Sequence, residues 1–186
     1  MVLTLLVVTL ASATAVGLVY KVTEGPIAEA NAAVMLNALQ EVLPPFDNNP
    51  VTEAVHLEID GLPVDIYTGR NGDEITGYAI MSSSMKGFGG EIAIMAGFLP
   101  NGEIVRIVTL SHNETPGLGD KIENGKSGFA YQFEGRNPSS FILALKKDGG
   151  NVDAITAATI SSRAYTDALT RAYNALQEVR KGGNNE

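Results

Sequence analysis

The segment Asp153 to Arg163, DAITAATISSR, sets small residues and hydroxyls directly before a run of helical periodicity. Thr156, Ala157, Ala158 and Thr159 come first, and Ser161-Ser162 follow. The first amide N–H groups of a helix have no acceptor within it and carry partial positive charge. A phosphate placed there meets both the donors and the dipole, and small side chains let it approach the backbone. A threonine at that point also offers a hydroxyl for esterification. Serine and threonine cap helices constantly, however, and on spacing alone a cap is the commoner explanation.

A second segment, Ser111 to Ile122, reads SHNETPGLGDKI. A strand runs straight into Glu-Thr-Pro-Gly-Leu-Gly, where proline and two glycines force a tight, exposed backbone with free amides. Such a loop suits the rim of a ligand pocket, and by itself it is as readily an ordinary connection. The remaining candidates carry less. Gly117-x-Gly119 lacks the third glycine of a dinucleotide fingerprint and opens no βαβ unit. His56 and His112, the 2 histidines of the chain, are far apart and fit ordinary strand positions rather than a metal site. No nucleophile elbow or Ser-His-Asp order is present. Lys146-Lys147 and Arg180-Lys181 read as solvated charge pairs, and Asn113-Glu114-Thr115 matches a glycosylation sequon of a kind that arises often by chance.

These residues need a scaffold, and the patterning supplies one. Val55, Leu57 and Ile59 alternate with polar neighbours, as in a half-buried strand. Leu62 to Tyr67, Ile75 to Ser82, Glu91 to Phe98 and Glu103 to Leu110 continue as strands, with a hairpin turn at Pro100-Asn101-Gly102. A further strand is expected at Phe141 to Leu145, followed by the turn Asp148-Gly149-Gly150. A helix closes the chain from about Ser161 to Val179, its apolar face made by Tyr165, Leu169, Ala172, Tyr173 and Leu176, with Gly182-Gly183 past its end. The fold class this implies is α+β, an antiparallel sheet flanked by helices.

Val2 to Tyr20 contains no charge and, as a helix, is about 28 Å long, close to the thickness of a bilayer core. Ala11-Ser12-Ala13 resembles a cleavage site, but the basic segment of a secretory signal is missing, so a retained transmembrane helix is expected. Thr23 is placed to cap a second, amphipathic helix that begins near Pro26, carries Ile27, Val34, Met35, Leu39 and Val42, and stops at Pro44-Pro45. The expected organisation is an anchor over residues 1–22 and a folded domain over 23–186. The net charge of −8 lies wholly beyond residue 20, which argues against nucleic acid and anionic membrane surfaces as partners. With no cysteine, disulfides, thiolate-held clusters and cysteine nucleophiles are excluded.

Taken together, Glu114 to Gly119 (ETPGLG) and Thr156 to Ser162 (TAATISS) resemble the FMN-binding domain of the G subunit of the Rnf electron-transport complex. The same domain occurs in the C subunit of the sodium-pumping NADH:quinone reductase, but the shorter Rnf protein is the better match. Gly87-Phe88-Gly89-Gly90 is similar to a Gly-Tyr-Gly-Gly element of that family, and the resemblance spans nearly the whole chain, N-terminal helix included. The family pattern is Ser/Thr-Gly-Ala-Thr, whose last threonine is joined to FMN through the phosphate; here that position is Thr159. Ala157 stands where the family usually has glycine, and a positive φ there would strain the turn.

The resemblance implies covalent FMN on Thr159, attached by a separate Mg²⁺-dependent transferase that uses FAD. It implies that Glu114, Thr115, Leu118 and Gly119 line the pocket, and that Thr156, Ala157, Ala158 and Ser161 surround the phosphate. The chain would then be an electron-relaying subunit, not catalytic alone, of an ion-translocating ferredoxin:NAD oxidoreductase. Its partners would be the other membrane and soluble subunits, at the bacterial inner membrane with the domain on the outer face. Two alternatives from other classes stay open: a membrane-tethered module that binds a small anion without redox chemistry, and a structural subunit whose helix start is merely capped.

Overall fold

The computed structural model describes residues 1–182 and divides into two compact units, Met1–Asn37 and the chain from Ala38 onward. A single helix, α1 (Val2–Val42), runs through the first unit into the second. The expected break near Thr23 does not occur. Pro26 lies inside the helix, and the Thr23 hydroxyl donates back to the carbonyls of Val19 (2.9 Å) and Tyr20 (3.2 Å) instead of capping a new start. Proline is tolerated there at the loss of one N–H donor, and a threonine within a helix satisfies itself on the preceding turn. The N-terminal part of α1 is long and apolar enough to cross a membrane, and none of its most apolar stretch is buried.

In the second unit, β1 (Val55–Ile59), β2 (Leu62–Asn71), β3 (Glu74–Gly87), β4 (Gly90–Phe98) and β5 (Ile104–His112) form one antiparallel meander in sequence order. Asp60 and Gly61, with φ of 53° and 75°, make the two-residue turn between β1 and β2. Both angles are positive, which matches the twist of the strands it joins. β3 continues past the expected end at Ser82 because its polar tail is held by hydrogen bonds rather than apolar packing. Ser82 Oγ donates to the Ala168 carbonyl (2.7 Å) and Ser84 Oγ to Asp167 (2.7 Å).

The closing helix, α2 (Thr159–Gly182), lies on one face of the sheet. Ala164, Tyr165, Ala168, Leu169, Ala172, Ala175 and Leu176 are fully buried there against Ile66, Ile80, Ile94 and Phe98. Gly182 is the last helical residue, and Gly183, expected past the end, lies outside the described residues. The opposite face is covered by the last turn of α1 and the residue after it, where Ala38, Leu39, Val42 and Leu43 are buried. The approach is close enough that a side chain at Gly97 would run into the Val42 carbonyl, and one at Gly77 would come within 2.9 Å of Pro44.

The strand expected at Phe141 to Leu145 is absent as such. Only Leu145 makes an isolated bridge, to Val152. The backbone bonds are consumed locally: Phe141 N–H reaches the Asn137 carbonyl, Ile142 N–H the Asn151 side chain, and Ala144 N–H the Ile142 carbonyl.

A cavity at the start of the last helix

Between Val152 and α2 the chain makes a tight turn. Ala158 N–H donates to the Ile155 carbonyl (3.1 Å), and Ala157 takes φ 64°, the left-handed value that strains any residue with a Cβ. Ala158 occupies the N-cap position, since its carbonyl accepts the N–H of Ser162 (3.0 Å), and it has no polar side chain to cap with. The turn is instead closed from inside the helix. Ser162 Oγ accepts the Ile155 N–H (3.0 Å) and donates to the Ala158 carbonyl (2.9 Å). Thr159 is the first helical residue and half-buried. Among the described residues its hydroxyl has no hydrogen-bond partner, and the N–H groups of Thr159, Ile160 and Ser161 meet no acceptor. Three unpaired donors at the positive end of a 24-residue helix favour negative charge beside them.

Opposite this helix start lies Glu114, a buried carboxylate (5 % exposed) that ties three segments together. Its Oε1 accepts the N–H of Gly89, in the turn between β3 and β4, at 3.0 Å. Its Oε2 accepts the hydroxyl of Ser161, in the first turn of α2, at 2.5 Å. Its own N–H donates to His112 Nδ1 (3.0 Å) at the end of β5. The glycines around it are there for room. A Cβ on Gly119 would fall 2.6 Å from Ser161 Oγ and closer still to Glu114 Oε2, and one on Gly87 would be 2.7 Å from Glu114 Oε1.

A cavity of about 340 Å³ lies between these walls. It brings together Glu114, Thr115, Leu118 and Gly119 from the loop after β5, and Ala157, Ala158, Thr159 and Ser161 from the turn and helix. Thr156, expected beside them, is exposed and lines a separate depression with Lys121 and Phe129. Two lining residues were not among those expected at the pocket: Phe88, 70 % exposed at the tip of the β3–β4 turn, and Ile160, 49 % exposed on α2. An aromatic residue set among glycines was the available signal for Phe88. Ile160 gave none, because it continues the line of buried Ala164 and Ala168 past the end of the core.

Acidic and basic groups flank the cavity without entering it. Lys126 binds Asp120 (3.1 Å) and Glu123 (2.8 Å), and His112 Nε2 contacts Glu123 (2.6 Å). Burial pushes the Asp120 carboxyl up, but the Lys126 ammonium outweighs it and holds the group below the usual carboxylate range. Lys126, then His112, hold Glu123 low as well. Both stay ionised at neutral pH, and this loop is locked by charge on its outer side.

Residues 87–174 match the FMN-binding domain family, a span that runs from Gly87 through the ETPGLG loop and Thr159 into α2. Among curated proteins the chain is 34% identical over 177 residues to the G subunit of an ion-translocating oxidoreductase complex of Pseudomonas aeruginosa, covering 89% of this chain and 82% of the relative. It is 37% identical over 166 residues to the corresponding G subunit of Shewanella piezotolerans, covering 83% and 77%. It is 30% identical over 192 residues to the G subunit of the Na(+)-translocating ferredoxin:NAD(+) oxidoreductase complex of Acetobacterium woodii, covering 96% and 91%. With this extent of similarity, and with an FMN-binding domain laid over the cavity just described, the chain belongs to the Rnf family of ion-translocating oxidoreductase complex G subunits.

Proposed function

We propose that this chain relays electrons inside a membrane-bound ferredoxin:NAD oxidoreductase through FMN esterified to Thr159. The observation that carries this reading is the helix start itself, with three unpaired N–H groups around a hydroxyl that caps nothing. The residues fit the group. Thr159, Ile160 and Ser161 offer backbone donors to a phosphate, and Phe88, Leu118 and Ile160 offer exposed apolar surface for a ring. FMN, when bound, supplies one- and two-electron chemistry; the chain's part is to hold it, shield it and tune it. Attachment from FAD forms a bond from Thr159 Oγ to the FMN phosphorus and breaks the pyrophosphate link. AMP leaves, and the hydroxyl proton passes to solvent. Residues 1–22 serve as the single membrane anchor and residues 23–186 as the FMN-binding domain, on the outer face of the bacterial inner membrane. The partners are the other subunits of the complex and, during maturation, the flavin transferase.

Thr159→Val keeps a branched side chain of similar volume and removes the only atom able to carry the ester. Full-length protein co-expressed with the transferase is expected to fluoresce in a denaturing gel and to weigh one FMN minus one water more than the bare chain. The valine variant is expected to fold and stay dark, while Thr156→Val and Ser161→Ala keep the flavin. Acid-stable flavin on the valine variant would move the attachment to another hydroxyl. A flavin lost on denaturation from the wild type would favour a non-covalent binding module.

A further inference from the structure

Among the described residues Glu114 is the one side chain that bonds to both walls of the cavity, so what aims Glu114 decides the shape of the site. The residue that does so is His112. It does not line the cavity; it sits behind the loop, its side chain 12% exposed. The Glu114 N–H donates to His112 Nδ1 at 3.0 Å, and an imidazole nitrogen accepts a hydrogen bond only when it carries no proton. The ring proton therefore sits on Nε2 and is donated to Glu123 Oε1 at 2.6 Å. Glu123 is in turn held by Lys126 at 2.8 Å, and Lys126 also binds Asp120 at 3.1 Å. The charged outer lock thus fixes the ring, and the ring fixes the Glu114 backbone. The chain of bonds ends at an amide N–H, which rules out proton transfer through it and leaves a positional role.

We propose that His112 is the positioning residue of the cavity: its Nδ1 holds the Glu114 amide and so aims the Glu114 carboxylate between Gly89 and Ser161. The role toward FMN rests on the cavity being the flavin site; the role toward Glu114 does not. Two variants separate it from general stability. Asparagine places its amide oxygen near the position of Nδ1 and keeps the acceptor, but is too short to reach Glu123. Glutamine reaches Glu123 with its amide nitrogen and has no acceptor at the δ position.

The experiment uses the full chain in detergent micelles, labelled uniformly with 15N. His112 is expected to show an unprotonated Nδ1 and a protonated Nε2, with His56, whose Nδ1 faces Asp65 at 2.6 Å, as the internal contrast. The Glu114 amide is expected to exchange about fivefold faster in His112→Gln and His112→Ala than in wild type and His112→Asn, the effect of one net hydrogen bond. Co-expressed with the transferase, the asparagine variant is expected to load flavin as wild type does, and the glutamine variant about fivefold more slowly, by the same loss of one bond. A proton on Nδ1, or equal exchange and loading in the asparagine and glutamine variants, would overturn the proposal. Absence of covalent flavin from the wild type would instead remove the attachment at Thr159, and the ring and amide measurements would still decide the role of His112.

Discussion

Ala157 sits at φ 64°, where its Cβ is crowded by the following carbonyl. Left-handed backbone costs an L-residue on the order of 1 kcal/mol relative to glycine. Ala157→Gly is therefore expected to raise stability by about 1 kcal/mol, or roughly 2–4 °C in Tm for a chain of this size. Thermal unfolding of the detergent-solubilised protein checks it, and a lower Tm would mean the turn stores no strain. The departure from glycine at this position was legible in the sequence, and so was the strain it would bring. Less legible was the purpose of the other glycines. Gly119 looked like a residue that frees backbone amides, whereas here it and Gly87 clear space for the Glu114 carboxylate and Ser161 hydroxyl. That packing joins residues far apart in the chain, and local spacing carries no trace of it.

At the scale of elements, the first turn of α2 is held from both ends. Inside it, Ser162 closes the turn; outside it, Arg163 makes two bonds to Asp148, at 2.8 and 2.7 Å, and so pins the turn after Leu145. The Arg163 guanidinium holds the Asp148 carboxyl below its ordinary value of 3.8. A carboxyl lowered by folding adds stability that is present above the unfolded pKa and lost as pH falls through the folded one. Arg163→Ala is expected to return Asp148 to the ordinary range in a carboxyl NMR titration. It should also remove that part of the acid dependence of unfolding which lies below about pH 4. A titration unchanged by the substitution would show that the pair does not form in solution.

The five strands and α2 were readable because each buries one face against the same core, which imposes period 2 on the strands and 3.6 on the helix. Where hydrogen bonds replaced apolar burial, periodicity misled. The serines of β3 read as the end of a strand, and Phe141 to Leu145 read as a strand though its N–H groups turn inward on their own loop. Thr23 and Pro26 read as a helix start for the same reason: both residues favour one, and only the surrounding helical bonds decide otherwise.

For the molecule as a whole, the question is where the folded domain begins. Leu3, Leu5, Leu6 and Leu10 are 59–75% exposed, an apolar surface that calls for lipid or another apolar partner. Residues up to Asn37 form a unit of their own, while Ala38, Leu39, Val42 and Leu43 are 7% exposed or less. Deleting residues 1–22 is therefore expected to give a soluble protein that melts as cooperatively as the full chain, and deletion to residue 37 should cost little more. Deletion to residue 43 is a different matter. It removes Leu39, Val42 and Leu43 from the sheet face that Gly69, Gly77 and Gly97 leave bare. At about 1.5–3 kcal/mol for each buried aliphatic side chain, the loss of three is comparable with the whole stability of an ordinary domain. This shortest protein is expected to aggregate or lose its cooperative transition. Circular dichroism melts and gel filtration of the three deletions test the sequence 22, 37, 43. A soluble, cooperative protein lacking residues 1–43 would show that the end of α1 is no part of the core, and aggregation on removing residues 1–22 alone would place the start of the domain inside the anchor.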